Sequence, residues 1–167
     1  MGEGESVSWR IVEAGVNDSA LLGHFWTLLM MEEAPPLLSV GETDEKRAAE
    51  AFTRMLSQRN HYRAYLSLSR RGEEAERPSG FIIGSVYERL YGEPRKAGHI
   101  LHWYVLKDAR GSGMGRDLYQ TLLRWFQKEQ VQILEVMARK EPARTRAWTD
   151  RGFIGVVDLF MMKAPWS

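Results

Sequence analysis

Hydrophobic residues along the first half of the chain recur with two periods, which predict helices and strands in alternation. Residues 8–13 alternate well enough for a short strand, and a helical pattern follows at residues 19–29. The prolines of the loop 32–41 end that pattern, and Thr43 is positioned to cap a second helix. From residue 61 hydrophobic and polar residues alternate with a period of two, so residues 61–69 predict a strand with one more solvent-exposed face.

The second half of the chain continues with strands that polar turns connect, so three antiparallel strands follow one another. A strand, helix and strand then succeed each other, and a crossover of this length joins parallel strands. The expected elements are strands at residues 80–90, 98–106 and 131–138, helices at 114–129 and 142–148, and a final apolar stretch at 153–162. The predicted fold class is therefore α/β with a mixed central sheet, in a single domain of residues 1–167 behind a disordered tail at about 1–7.

Composition limits the function classes. With 167 residues, of which 44% are hydrophobic, the chain can bury a core without covalent staples. The absence of cysteine excludes disulfides, thiolate zinc sites and a cysteine nucleophile, and it suits a cytoplasmic protein. A net charge of +1, from 23 basic and 22 acidic residues, predicts binding to neither nucleic acid nor membranes. The start carries no signal peptide pattern, and no apolar run approaches the roughly 18 residues of a membrane span.

The most distinctive stretch is the loop at residues 105–116, where a strand pattern gives way to glycines and then to a helix. Its glycines stand at alternate positions: Gly111, Gly113 and Gly115. Glycine permits positive φ and keeps side chains away from a ligand, and the N–H groups of the following helix suit a pyrophosphate. Arg110, Arg116 and Lys107 add positive charge. The spacing excludes a Walker loop and a dinucleotide fingerprint, but a glycine-rich turn that binds nothing remains an alternative.

The loop resembles the R-x-x-G-x-G signature of the GNAT acyltransferase superfamily, with Arg110 at its first position and Val105 at the usual valine of the lead-in. The predicted order of elements is also that of GNAT proteins over nearly the whole chain. Gly152-Phe153 matches the Gly-Phe pair of the family's closing element. Three other landmarks of that element are changed, because Glu141, Arg144 and Trp148 replace its asparagine, alanine and tyrosine.

The resemblance implies a GNAT-like sheet in which the two parallel strands splay, with acetyl-CoA as co-substrate in the cleft and no metal. It implies main-chain contacts to the cofactor from the strand before the loop, phosphate contacts from the loop and, at the tyrosine position, an acid that protonates the departing thiolate. Trp148 at that position could only donate a hydrogen bond to the sulfur or pack against the pantetheine arm, and a residue that fills the core beneath the short helix remains an alternative. The corresponding residues are Trp103, Tyr104, Val105, Arg110, Gly111, Ser112, Gly113, Met114, Gly115, Arg116 and Trp148. The implied reaction is direct attack on the thioester by a primary amine of a small molecule or peptide, which needs no acyl-enzyme.

Two histidines on the strand before the loop are candidates for the general base, because imidazole accepts a proton near neutral pH. Strand parity puts His99 and His102 on opposite faces unless a bulge reverses it. We favour His99, which stands where some family members keep a base, although an inert strand histidine remains an alternative. Glu32 and Glu33 either attract a cationic amine or are solvated loop charges.

Three classes of function remain open at this stage. The chain is an N-acetyltransferase, a non-catalytic acyl-CoA-binding module, or a structural domain that binds no CoA. Trp148 favours the second class, the non-catalytic module. An indole N–H is a hydrogen-bond donor but not a usable acid, so Trp148 could not protonate the departing thiolate. The identity of the acceptor amine and the formation of a homodimer are open as well.

Overall fold

In the part of the chain that the structure describes, five strands form one mixed sheet, and their order in space is their order along the chain. The computed structural model describes residues 7–34, 38, 41–138 and 141–156. The strands are β1 (Val7–Ala14), β2 (Tyr62–Arg71), β3 (Arg77–Glu88), β4 (Lys96–Val105) and β5 (Ile133–Val136). Strands β1 to β4 pair antiparallel, whereas β4 and β5 pair parallel. The predicted mixed sheet is confirmed, and β1 adds a fourth strand to the antiparallel part.

Among the described residues, four α-helices accompany the sheet: α1 (Ser19–Glu33), α2 (Glu42–Ser57), α3 (Met114–Lys128) and α4 (Pro142–Thr149). The prediction that Thr43 caps α2 is wrong, because Gly41 is the N-cap and its N–H donates to the Asp44 carboxylate at 2.9 Å. Residues 153–156 form no strand, and the remainder of the predicted final stretch lies outside the described residues. Of the predicted tail at about 1–7, residues 1–6 also lie outside them, whereas Val7 is the first residue of β1. None of the described helices is long and apolar enough to cross a membrane.

The sheet is covered on both faces, so its central strand β3 is apolar on both sides. Phe81 and Ile83 face α1 and α2, whereas the intervening Ile82 faces α3, as the alternation of side chains along a strand requires. All three side chains are fully buried. Burying a side chain of this size stabilises the fold by about 1.5–3 kcal/mol. The packing of side chains on the two faces of the sheet fixes the positions of α1 and α3 against β4, where the candidate site lies.

Two glycines bring α3 close to the sheet. A β-carbon on Gly84 would lie 2.7 Å from Phe126 Cζ, and one on Gly98 would lie 3.0 Å from the same ring. Real β-carbon contacts are essentially never as short as the one at Gly84, and the one at Gly98 is tighter than most, so the phenyl ring occupies the space that side chains at these positions would need. The close packing fixes α3, and therefore the loop before it, relative to the end of β4.

Candidate functional site

The loop between β4 and α3 makes a 3₁₀ turn at Lys107–Ala109 and then adopts left-handed backbone at Gly111 and Gly113, with φ of +79° and +101°. Any other residue would be strained at these two positions, so the sequence uses glycine there. The expectation of positive φ is wrong for Gly115, which lies inside the first turn of α3. A β-carbon at Gly115 would be in ordinary contact, 3.4 Å from Trp103 Cζ2.

The loop and the first turn of α3 carry backbone N–H groups that donate no hydrogen bond within the described residues. They belong to Gly111, Ser112, Gly113, Gly115 and Arg116. The N–H of Met114 is 3.3 Å from Ser112 Oγ, and that hydroxyl in turn donates to the carbonyl of Ala109 at 2.8 Å. Free amides at the positive end of a helix dipole form an anion site, which we call the cradle.

The charges around the cradle are arranged by a contact that the sequence did not predict. Arg116 Nη2 lies 3.3 Å from the position of a β-carbon on Gly113, so its guanidinium covers the cradle. Asp117 would repel an anion here, but it is 3.6 Å from Arg116 Nε and accepts a hydrogen bond from Trp9 Nε1 at 2.9 Å. Trp9 lies 108 positions earlier in the chain. No local pattern could have identified it as a residue of the site.

The Arg110 side chain points away from the cradle, toward the end of α1. Its Nε donates to the Val105 carbonyl at 2.9 Å, and its Nη2 lies 3.0 and 3.2 Å from the two carboxylate oxygens of Glu32. Burial favours a raised pKa for Glu32, but hydrogen bonds from Tyr104 and Arg110 and the charges of Arg110 and Lys107 outweigh it and lower the pKa. Glu32 is therefore an ion-paired residue of α1 and not a solvated loop charge.

Glu33 is also committed to an ion pair. Its carboxylate accepts a hydrogen bond from Arg144, whose Nε donates to Glu141 at 3.1 Å. This cluster ties the end of α1 to the first turn of α4. It also gives a reason for two of the departures from the family's closing element, because Glu141 and Arg144 replace an amide and a methyl group by a charged link. Within the described residues, no group of three or more His, Asp or Glu side chains is placed to hold a metal ion.

The parallel strands separate where the candidate site begins. Pairing covers only Ala97–Ile100 of β4 and Ile133–Val136 of β5. Beyond Ile100, the described residues provide no strand on that side, so the main-chain groups on this edge of residues 101–105 pair with no strand. The Val105 carbonyl accepts a hydrogen bond from Arg110 Nε instead. The other edge pairs with β3, where Trp103 is opposite Ile82. The predicted splay is therefore present, and its open edge runs to the start of the cradle loop.

A β-bulge decides where the two histidines point. Ile83 pairs with His102 and Gly84 pairs with Ile100, so Leu101 is an extra residue in β4. The extra residue reverses the parity, and His99 and His102 lie on the same face of the sheet, the one covered by α1 and α2. The expectation that the two histidines lie on opposite faces is therefore wrong, and the cause is a bulge, the exception that the sequence left open.

The two imidazoles have different surroundings. The ring of His102 packs edge-on against Trp26 and Phe52, with centroid distances of 6.4 and 6.3 Å. Burial and the neighbouring His99 lower the pKa of His102 to about 4. Burial also lowers the pKa of His99, and the negative charge of Glu135 opposes that shift. Both rings are therefore neutral at pH 7.

Glu135 joins the site from β5. It is the residue opposite His99 in the parallel register, at the point where the strands separate. Its carboxylate accepts a hydrogen bond from the Tyr87 hydroxyl and lies 3.8 Å from Arg89 Nε. Burial, this hydrogen bond and the charge of Glu135 raise the pKa of Tyr87 to about 12. Glu135 is not among the residues that the sequence predicts for the site, because a single acidic residue in a short strand carries no signal of its own.

The other face of β4 carries an aromatic cluster between α3 and α4. The rings of Trp103 and Tyr119 stack with centroids 5.5 Å apart, and Trp148 packs edge-on against Trp103 at 5.9 Å. Phe153 lies 5.2 Å from Trp148, and the guanidinium of Arg151 covers the cluster. Trp148 thus packs against protein residues in this structure. Its predicted packing against a cofactor remains a prediction.

Comparison with protein families finds a match to the model of the acetyltransferase (GNAT) family over residues 26–153. A search of curated protein sequences finds no match. The matched region runs from α1 to the Gly152-Phe153 pair and includes the cradle, the splayed strands and the aromatic cluster.

Solved structures share the fold at low sequence identity. A predicted acetyltransferase from Clostridium acetobutylicum with acetyl-CoA is 14% identical, with 95% of this chain and 96% of that chain covered and a TM-score of 0.73. A GCN5-related N-acetyltransferase from Ralstonia eutropha is 15% identical, with coverage of 94% and 98% and a TM-score of 0.71. An aminoglycoside acetyltransferase from an uncultured soil sample, in complex with sisomicin, is 15% identical, with coverage of 93% and 97% and a TM-score of 0.66.

Proposed function

The chain belongs to the acetyltransferase (GNAT) family, and we propose that it moves an acetyl group from acetyl-CoA to a primary amine by direct attack in a ternary complex. One observation carries this proposal: the free amides of the cradle adjoin the unpaired edge of β4, where β5 diverges. A ligand with a phosphate at one end and an amide-containing arm at the other suits this pair of features.

The residues of the cradle fit the phosphates of acetyl-CoA. The left-handed glycines Gly111 and Gly113 present backbone without side chains, and Arg116 supplies a guanidinium over the same spot. The open edge near Trp103, Tyr104 and Val105 would pair with the amides of the pantetheine arm, apart from the Val105 carbonyl, which accepts from Arg110 Nε. The acyl group would then lie toward the point where β4 and β5 separate, next to His99 and Glu135.

Bound acetyl-CoA supplies a thioester carbonyl that the acceptor nitrogen attacks, with loss of CoA as the thiol. We assign His99 the removal of the ammonium proton from the acceptor, because its imidazole is neutral at pH 7 and lies at the separation of the strands. His102 is held between aromatic rings, and its pKa of about 4 makes it a weak base. Glu135 favours the protonated form of His99 once the proton has arrived.

The departing thiolate needs no dedicated acid. An unperturbed thiol has a pKa of about 8.5, so a thiolate can leave and then take a proton from water or from the acceptor nitrogen, which becomes positively charged when it attacks the carbonyl and must lose a second proton. Trp148 would only donate a hydrogen bond or pack, since an indole N–H does not titrate in this range. The acceptor class, a small-molecule or peptide amine, is supported by the family and by the aminoglycoside acetyltransferase that shares the fold.

The experiment measures the release of CoA thiol with a panel of aminoglycosides, polyamines, amino acids and peptide N-termini. We expect turnover with at least one primary amine, and we expect His99→Ala to reduce it about 10²- to 10⁴-fold with little change in acetyl-CoA affinity. His24→Ala is the matched control, because His24 is an exposed residue of α1 that contacts Glu45. Activity of His99→Ala within threefold of the wild type would remove His99 from the mechanism. Binding of acetyl-CoA without turnover on any amine would favour a non-catalytic acyl-CoA-binding module.

A further inference from the structure

We infer that the guanidinium of Arg151 binds the phosphate groups of acyl-CoA in addition to that of Arg116, and that the guanidinium of the motif residue Arg110 does not. The inference rests on the proposed function, since it concerns the ligand of the same site. It assigns a role to a residue outside the signature loop, in the turn that follows α4.

Arg151 lies over an aromatic platform formed by three residues of β4, α3 and α4. Its guanidinium carbon is 5.5 Å from the centroid of Trp103, 5.7 Å from that of Tyr119 and 6.0 Å from that of Trp148. A guanidinium near the faces of several aromatic rings gains cation–π attraction, and an arginine over tryptophan is a favoured case. The platform therefore orders this cation at the surface between α3 and α4.

The platform holds the charge of Arg151 without neutralising it. One N–H of its five donates to the carbonyl of Ala147, and the described residues provide no carboxylate within ion-pair distance. The other arginines near the site differ in this respect. Arg110, Arg116 and Arg144 are paired with Glu32, Asp117 and Glu33. An ordered cation with free donors and no counter-charge is the arrangement that an anionic ligand completes.

The platform also connects Arg151 to the cradle. The Trp103 ring that lies under the guanidinium reaches the first turn of α3, where its Cζ2 and Nε1 are 3.4 and 3.7 Å from the position of a β-carbon on Gly115. One indole ring therefore separates the guanidinium from a cradle amide. An arginine side chain is long enough to cover this distance, so a phosphate at the cradle can receive donors from Arg151.

Arg110 is unsuited to the same role because its donors are already used. Its guanidinium holds both carboxylate oxygens of Glu32 and the carbonyl of Val105, and it lies 5.4 Å from the ring of Tyr104. Turning it toward the cradle would leave the partly buried Glu32 without its main counter-charge. The two arginines therefore have different roles: Arg110 stabilises the conformation of the loop, and Arg151 is available to a ligand.

The platform gives a reason for tryptophan at position 148. The family's closing element has tyrosine there, and a larger ring at this place extends the surface beneath Arg151 toward Phe153. Trp103 and Tyr119 complete that surface, and their own stacking at 5.5 Å fixes both rings.

The test compares the affinities of three ligands by calorimetry: CoA, dephospho-CoA, which lacks the 3′-phosphate, and S-acetylpantetheine, which lacks all phosphates. We expect Arg151→Gln to weaken the binding of CoA about 10- to 100-fold and to leave S-acetylpantetheine within twofold. If dephospho-CoA loses the same factor, Arg151 binds the pyrophosphate, and if its affinity is unchanged, Arg151 binds the 3′-phosphate. Arg146→Gln is the matched control, an exposed arginine of α4 for which the described residues show no ring contact.

Arg151→Lys keeps the charge but loses the planar fork, so we expect a smaller loss for CoA and none for S-acetylpantetheine. If Arg151→Gln fails to fold, the same three affinities are compared between Arg151→Lys and the wild type. Equal losses for CoA and S-acetylpantetheine would make Arg151 a structural residue and overturn the inference, as would an unchanged affinity for CoA. A wild-type protein that binds none of the three ligands would instead overturn the proposed function, and the inference with it.

Discussion

Glu32 and Arg110 are 78 residues apart in sequence, yet Arg110 Nη2 lies 3.0 Å from one carboxylate oxygen of Glu32 and 3.2 Å from the other. Tyr104 donates its hydroxyl to the same carboxylate at 2.8 Å. Glu32 is in the last turn of α1, and Arg110 lies in the loop between β4 and α3, just before its glycines. The pair therefore joins the end of α1 to this loop. Burial and the charge and hydrogen bond of Glu32 raise the pKa of Tyr104 to about 12.

Replacement of Glu32 by glutamine should destabilise the protein, because it removes the counter-charge of Arg110 and weakens the hydrogen bonds from Arg110 and Tyr104. We expect a loss of about 1–2 kcal/mol in the free energy of unfolding, after allowance for partial exposure. Urea unfolding at pH 7 measures it. Glu76→Gln is the control, since its bidentate pair with Arg10 is exposed and should contribute little. Equal effects of the two substitutions would contradict a structural role for the Glu32–Arg110 pair.

Substitution of Gly113 should damage the cradle more than it damages the fold. A β-carbon there would be strained at φ of +101° and would lie 3.3 Å from the Arg116 guanidinium. Saturating acetyl-CoA should raise the melting temperature of the wild type by about 5–10 °C, which corresponds to about 2.7 kcal/mol at a hundredfold excess over Kd. Gly113→Asp should abolish this shift, because it adds a negative charge where phosphates bind.

The control for the cradle is Gly15→Ala, because Gly15 has no left-handed backbone and a β-carbon there would meet nothing within 4 Å. We expect this variant to keep both its melting temperature and its response to acetyl-CoA. A full response in Gly113→Asp would show that acetyl-CoA binds elsewhere.

His102 should make the protein sensitive to acid between pH 6.5 and pH 4. Its pKa in the folded protein, about 4, is below the unfolded value near 6.5, so the unfolded state binds the proton more tightly. Stability is therefore complete above pH 6.5 and falls as the pH drops toward 4, by up to about 3 kcal/mol. His102→Phe should be less sensitive over this window in urea unfolding. Parallel pH profiles for the two proteins would contradict the low pKa.

Trp148 should stabilise the protein even when no ligand is bound. Its ring contacts Trp103, Tyr119 and Phe153, so Trp148→Ala should lower the free energy of unfolding by about 2 kcal/mol, less than for a fully buried tryptophan. A scan of the protein without ligand should show a melting temperature lower by about 4–8 °C. Trp148→Tyr keeps an aromatic ring and should keep most of this stability and the turnover. An unchanged melting temperature for Trp148→Ala, with weaker acetyl-CoA binding, would mean that the ring packs mainly on the ligand.

The sequence by itself determined the features that depend on neighbouring residues. The periods of two and of about 3.6 identified the strands and helices, because side chains alternate along a strand and return to one face along a helix. The glycine loop was recognisable because positive φ at Gly111 and Gly113 is a local requirement. These features, with the parallel crossover, were enough for the mixed sheet and for the family resemblance.

Tertiary structure decided the features that depend on distant residues. One extra residue in β4, Leu101, puts His99 and His102 on the same face, since a strand with period two changes face with every insertion. Arg110 has the same sequence context whether it points to the cradle or to Glu32, and only the approach of α1 selects Glu32. Arg151 becomes a candidate ligand-binding residue only because three rings from β4, α3 and α4 meet beneath it. Contacts of this kind follow from the packing of whole elements, for which no short stretch of sequence carries a signal.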